Sequence, residues 1–265
     1  MSRPGVVLSR WLGMALLACS MAAHAGRSCD AQKPTPASVV SGLALAQRTA
    51  QALDASGAQV VVLARAGQNL QRYGITWSHL GFAYRTAEGS WRVVHKLNQC
   101  GSASGFVYRQ GLGEFFLDAP WRYQAAWSVP APAVQARLLA QLQIPGAALV
   151  VDAPAYSMVS YAWGQRYQQS NQWAIETLAV AMAPETAGSR AAAQGWLRAQ
   201  GYQPAVLHIG PLERLGGRMT ATNIAFDDHP PAERFSDRIA TVTADSVFGW
   251  LLASRLGSAP VVLRQ

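Results

Sequence analysis

Acidic side chains are scarce in this chain: 14 Asp and Glu stand against 22 Lys and Arg in 265 residues, a formal net charge of +8. That balance favours anionic partners in general, such as cell-wall polymers or phospholipid headgroups, or simply aids solubility. Nucleic acid is excluded as an expected partner, because no zinc-finger spacing, RNA-binding signature or basic helical block accompanies the charge. After the N-terminus no uninterrupted apolar run of about 20 residues occurs, so no membrane-spanning helix is expected there. The stretch Gly101-Ser102-Ala103-Ser104-Gly105 lacks the Lys-Ser/Thr ending of a phosphate loop. Asp227-Asp228-His229 has no partner cluster at ligand spacing and reads as a surface loop. No cofactor and no metal is therefore expected, and there is no internal repeat or low-complexity linker.

What is present begins at the N-terminus. Arg3 and Arg10 precede the apolar residues 11–18, and Ala23-His24-Ala25 fits a small-x-small cleavage rule, so residues 1–25 read as an export signal. A rival cut just before Cys19, after Leu16-Leu17-Ala18, would leave a lipid anchor there instead. Loss of residues 1–25 removes two arginines and no acid, leaving +6. Residues 26–265, in a chain that is half hydrophobic, suffice for one exported domain with a single sizeable core, periplasmic or secreted. Two of the three cysteines then remain, Cys29 and Cys100. In an oxidising compartment they are expected to pair; the alternative makes Cys100 a reactive thiol near His95.

Thr35 and Pro36 mark a helix start, followed by an apolar stripe of Val39, Leu43, Ala46, Ala50 and Leu53 that ends near Gly57. Residues 58–64 read as a strand buried on both faces. Residues 77–85 and 91–97 read as a hairpin, and the glycine-dense residues 98–113 as a loop leading from it. Residues 114–127 read as partly extended, 132–142 as a helix, and 156–161 as extended. A well-buried helix over 171–182 follows, with Ser170 at or just inside its start. A helix over 189–200, a strand over 205–209, and a strand followed by a last helix over 240–252 complete the chain. The fold expected is α+β, an antiparallel sheet packed with helices.

The hairpin carries two histidines. On its first strand Leu80, Phe82 and Tyr84 make one face bulky, while His79, Gly81 and Ala83 make the other small. A three-residue turn Ala87-Glu88-Gly89, with Gly89 left-handed, pairs Gly81 with His95 and sets His79 and His95 diagonally on one face. A two-residue turn Glu88-Gly89 would put them on opposite faces. Two imidazoles on a sheet and the Ser170 hydroxyl at a helix start are the parts of a nucleophilic site. The plainer alternatives are two unrelated strand histidines and a serine that only caps its helix.

Through Gly26-Arg27-Ser28-Cys29, Ala64-Arg65-Ala66-Gly67, Ser78-His79-Leu80-Gly81-Phe82 and Ser170-Asn171-Gln172-Trp173, almost all of the mature chain resembles a bacterial family called domain of unknown function 2145. That resemblance implies exported proteins without an assigned activity. More distantly, Ser78 to Phe82 on a strand, a second polar residue on the next strand and a later helix start resemble the circularly permuted papain-like amidases and acyltransferases. By position the resemblance implies His79 as general base, His95 as the residue that orients it, and Ser170 as nucleophile. The superfamily has cysteine where this chain has Ser170, and a serine hydroxyl would need its proton removed during attack and a good oxyanion hole. Two functions are expected from these parts: a cell-envelope amide or ester hydrolase or acyl transferase, or a non-catalytic binding or structural protein that keeps the fold.

Overall fold

A computed structural model describes residues 34–264 apart from Ala119. The expected export signal, the alternative anchor at Cys19 and the Cys29 end of the expected disulfide lie outside the described residues. The chain forms α1 (Pro36–Ala55), β1 (Val60–Arg65), the hairpin β2 (His79–Arg85) and β3 (Trp91–Asn98), then β4 (Gly105–Gly111), α2 (Leu112–Leu117) and β5 (Gln124–Ser128). After α3 (Pro132–Gln143) come α4 (Ser170–Met182), α5 (Arg190–Ala199), β6 (Ala205–His208), α6 (Pro211–Thr220), α7 (Pro231–Arg234), β7 (Arg238–Thr241), α8 (Ala244–Ala253) and β8 (Val261–Arg264). Six strands make one antiparallel sheet in the order β4-β3-β2-β1-β5-β8, and β6 pairs with β7 separately. The fold is α+β with an antiparallel sheet, as the sequence predicts.

Strand alternation divides the core in two. On one face Val60, Val62, Ala64, Leu80, Phe82, Tyr84 and Val94 pack against α3, α4, α5 and α8 through Leu138, Trp173, Leu197 and Leu251. On the other, Val61, Leu63, Ala83, Val93 and Trp127 pack against α1 and α2 through Leu45, Leu53, Phe115 and Phe116. Every residue of β1 is buried, because it lies inside the sheet with helices on both faces.

Local chemistry explains the ends of the elements. The Thr35 hydroxyl accepts the Ser38 N–H at 3.1 Å, with Pro36 at the first helical position. In the hairpin the Thr86 N–H donates to Ser90 O at 2.8 Å, the Gly89 N–H to Thr86 O at 3.0 Å, and Gly89 has φ +87°. This is the expected three-residue turn, and it yields the expected register, with Phe82 opposite Val94.

Several expectations are corrected. The inward stripe of α1 is Gly42, Leu45, Ala46, Thr49 and Leu53, whereas Leu43 is exposed. Gly42 sets this rotation: a Cβ there would lie 2.9 Å from Leu117 Cδ2, so α1 approaches α2 on its glycine side. Residues 98–113 are no open loop but the turn and strand of a second hairpin, since Gly105–Gly111 pairs along β3. Residues 114–127 hold the expected extended part as β5 but also most of the short helix α2, and residues 156–161 follow an irregular path. α6 and β8 are additions for which the sequence reading has no counterpart.

Candidate functional site

The register of the hairpin places Gly81 opposite His95 and leaves His79 diagonal to it, so the two imidazoles meet. His79 Nε2 lies 2.8 Å from His95 Nδ1, and His95 Nε2 lies 2.8 Å from Gln110 Oε1. The amide oxygen of Gln110 only accepts, so His95 carries its proton on Nε2 and accepts at Nδ1 from the Nε2–H of His79. Phe115 from α2 packs on both rings, at 5.9 Å from the His79 centroid and 5.2 Å from that of His95.

The charge environment favours a neutral His95. Burial first, and then the Arg65 guanidinium, push the pKa of His95 down to about 4. Arg65 comes from β1, directly across from His79. Its guanidinium lies over Phe115 at 4.8 Å, donates to the Phe115 carbonyl and pairs with Asp118. A neutral imidazole held in one tautomer by a second imidazole is the arrangement of an oriented general base.

Ser170 does not join it. α4 does abut β2 next to the first histidine, since the Leu80 N–H donates to Asn171 Oδ1 at 2.8 Å. Alternation along β2 nevertheless sends His79 to the face covered by α1 and α2, while α4 packs on the face of Leu80 and Phe82. The Ser170 hydroxyl is buried and lies 3.3 Å from the Tyr156 hydroxyl, a phenol whose pKa burial raises. Among the described residues no hydrogen bond joins Ser170 to either imidazole. The expected Ser170–His79–His95 constellation is therefore assembled only in its histidine half. Nor does Ser170 cap the helix: it is the first helical residue, and the Gln169 side chain accepts the Asn171 N–H at 2.7 Å.

A buried polar network holds the segment that delivers Ser170. Lys96 Nζ donates to Asp152 Oδ1 at 2.5 Å, to Ala153 O at 2.6 Å and to Gln168 Oε1 at 2.9 Å. Gln168 in turn donates to Glu176 Oε2 at 2.5 Å, and the same carboxylate takes Arg190 Nε at 2.9 Å and Gln194 Nε2 at 2.6 Å. Arg190 also donates to the carbonyls of Gly164, Gln165 and Tyr167. Burial raises the pKa of Glu176, and the three donors oppose that shift. Every donor and acceptor in this cluster serves the loop over 151–169, so its role is structural.

The sequence reading missed Gln110, Phe115 and Arg65. Gln110 lies in the strand mistaken for a loop, where the alternation of Phe106, Tyr108 and Gln110 is the signal that finds it. Arg65 falls just outside the strand read over 58–64, because nothing local shows that a buried strand ends on a guanidinium. At the acidic turn the Tyr161 N–H donates to Asp228 Oδ2 at 2.9 Å, and His229 Nε2 donates to Val159 O at 2.8 Å. These bonds clamp two loops, and no group of three or more His, Cys, Asp or Glu placed to hold a metal occurs among the described residues.

No curated protein and no solved structure matches the chain. A family model does match, over residues 52–251, which span five of the sheet's six strands, the histidine pair and α4. With most of its length inside that match, the chain belongs to the bacterial family described as "Uncharacterized protein conserved in bacteria (DUF2145)".

Proposed function

We infer that the protein acts at the cell envelope after export, as a binding or structural protein that retains the histidine pair of a nucleophilic site without its nucleophile. The observation that carries this reading is Ser170: it is only 4% exposed, engaged with Tyr156, and on the opposite sheet face from His79 and His95. The net positive charge of the mature chain supports an anionic envelope component as its partner.

A second reading keeps the amide or ester hydrolase or acyl transferase on a permuted papain-like fold. Its support is the His79–His95–Gln110 chain, which holds His79 as an oriented base needs to be held. On that reading Ser170 must leave Tyr156 and reach His79 when substrate binds. Serine- and cysteine-directed acyl probes on the purified protein separate the two. The binding reading expects no covalent adduct at Ser170. An adduct there that disappears in His79→Ala would overturn it in favour of the hydrolase.

A further inference from the structure

α6 is packed inside out. Its inward positions are Arg214 and Gly217, and its outward positions include Leu212, Leu215 and Met219, which are 85%, 55% and 77% exposed. Those three recur at the i, i+3, i+7 spacing of a single helical stripe. Arg214 holds this orientation. Its guanidinium donates to Ile209 O at 2.8 Å, Glu233 O at 3.1 Å, Arg234 O at 3.0 Å and Arg238 O at 3.2 Å, and lies over Phe226 at 5.1 Å. Rotating the helix to bury its leucines would strip four carbonyls of their donor and expose a charged clamp. The same clamp fixes the chain around Phe235, itself 82% exposed, beside α6.

Basic side chains outnumber acidic ones around this apolar stripe. Arg218, Arg234 and Arg238 are exposed and form no salt bridge among the described residues. Of the nearby acids, Glu213 pairs with Arg72 and the Tyr73 hydroxyl, Glu233 takes the Ala240 N–H, and Asp237 bonds His208 and feels the charge of Arg238. Four exposed apolar side chains amount to at most a few hundred Å², short of the ~800 Å² that each partner of a stable protein interface buries. A small apolar stripe with Arg218 and Arg234 beside it, neither in a salt bridge among the described residues, is the pattern of a helix lying in a lipid headgroup layer.

We propose that α6, with Phe235, docks the protein on an anionic phospholipid bilayer, inserting Leu212, Leu215, Met219 and Phe235 among the acyl chains while Arg218 and Arg234 meet the lipid phosphates. This surface is separate from the histidine pair, and its fate does not depend on whether that site is catalytic.

The test is co-sedimentation of the protein freed of residues 1–25 with phosphatidylcholine vesicles, with and without phosphatidylglycerol. Binding is expected to the phosphatidylglycerol vesicles, to weaken as salt rises, and to fall about fivefold for each of Arg218→Gln and Arg234→Gln. Leu212→Ser, Leu215→Ser and Met219→Ser together should abolish it while leaving the melting curve unchanged, since all three side chains are already in water. Failure of the parent protein to bind, or equal binding by the triple variant, would overturn the proposal. So would light scattering that shows a dimer which the triple variant dissolves, because the face would then belong to a second copy.

Discussion

Gly81 lies directly across β3 from His95, so close that a Cβ on Gly81 would come within 2.9 Å of His95 Cβ and of Val93 Cγ1, and within 3.1 Å of Val94 O. The glycine is the space into which the second imidazole fits. Gly81→Ala should therefore force the strands or the His95 ring to shift, destabilising the fold by about 1–3 kcal/mol. Chemical denaturation measures the loss, and an unchanged midpoint would show that the hairpin is more compliant than its packing indicates.

His95 should make stability depend on pH in the acid range. Its folded pKa of about 4 lies below the ordinary 6.5, so the unfolded chain binds the proton more readily. Its contribution is fully present above pH 6.5 and is lost as pH falls from there toward 4, by about 3 kcal/mol in total. Denaturation at a series of pH values should show this slope for the parent protein and a shallower one for His95→Asn. An NMR titration that found His95 protonated at pH 6 would contradict it.

The Glu176–Arg190 pair is buried on both sides and saturated with donors. Arg190→Ala leaves a carboxylate without its counter-ion and should cost about 3–5 kcal/mol, whereas Glu176→Gln combined with Arg190→Met should cost less. Equal losses in the single and double variants, read from denaturation midpoints, would mean that the carbonyl contacts of Arg190 matter more than its charge.

Ser170→Cys examines the site without needing a substrate. The start of α4 favours a thiolate, but burial opposes it and no imidazole is bonded to this position. Alkylation by iodoacetamide at pH 6 to 7 should be no faster than for a free cysteine and should not change in His79→Ala. A fast reaction abolished by His79→Ala would restore the nucleophilic reading.

Cys29 and Cys100 are expected to be joined in protein made in an oxidising compartment. Closing a loop of roughly 70 residues is worth about 4 kcal/mol in the chain-entropy picture. Mass spectrometry of the unreduced protein checks the bond, and two alkylatable thiols would refute it.

Much of the fold was legible because it is written locally. The Thr35–Pro36 start, the Ala87-Glu88-Gly89 turn and the alternation of β2 depend on neighbours a few residues apart. From them follow the hairpin register and the meeting of His79 with His95. The strand β4 was harder to see, because glycines at its two ends and in its turn resemble a loop until β3 supplies the hydrogen-bond partner.

The sequence by itself determined which side chains share a strand face, since a period of two needs no partner to be read. Only the tertiary structure decided which helices cover each face, because helix docking depends on surfaces built from segments distant in the chain. That decision places α1 and α2 over the histidines and α4 over Leu80 and Phe82, so the helix that begins at Ser170 meets β2 from the wrong side, through Asn171. It also turns the leucines of α6 outward, through four carbonyls that reach Arg214 only once Ile209, Glu233, Arg234 and Arg238 are brought together.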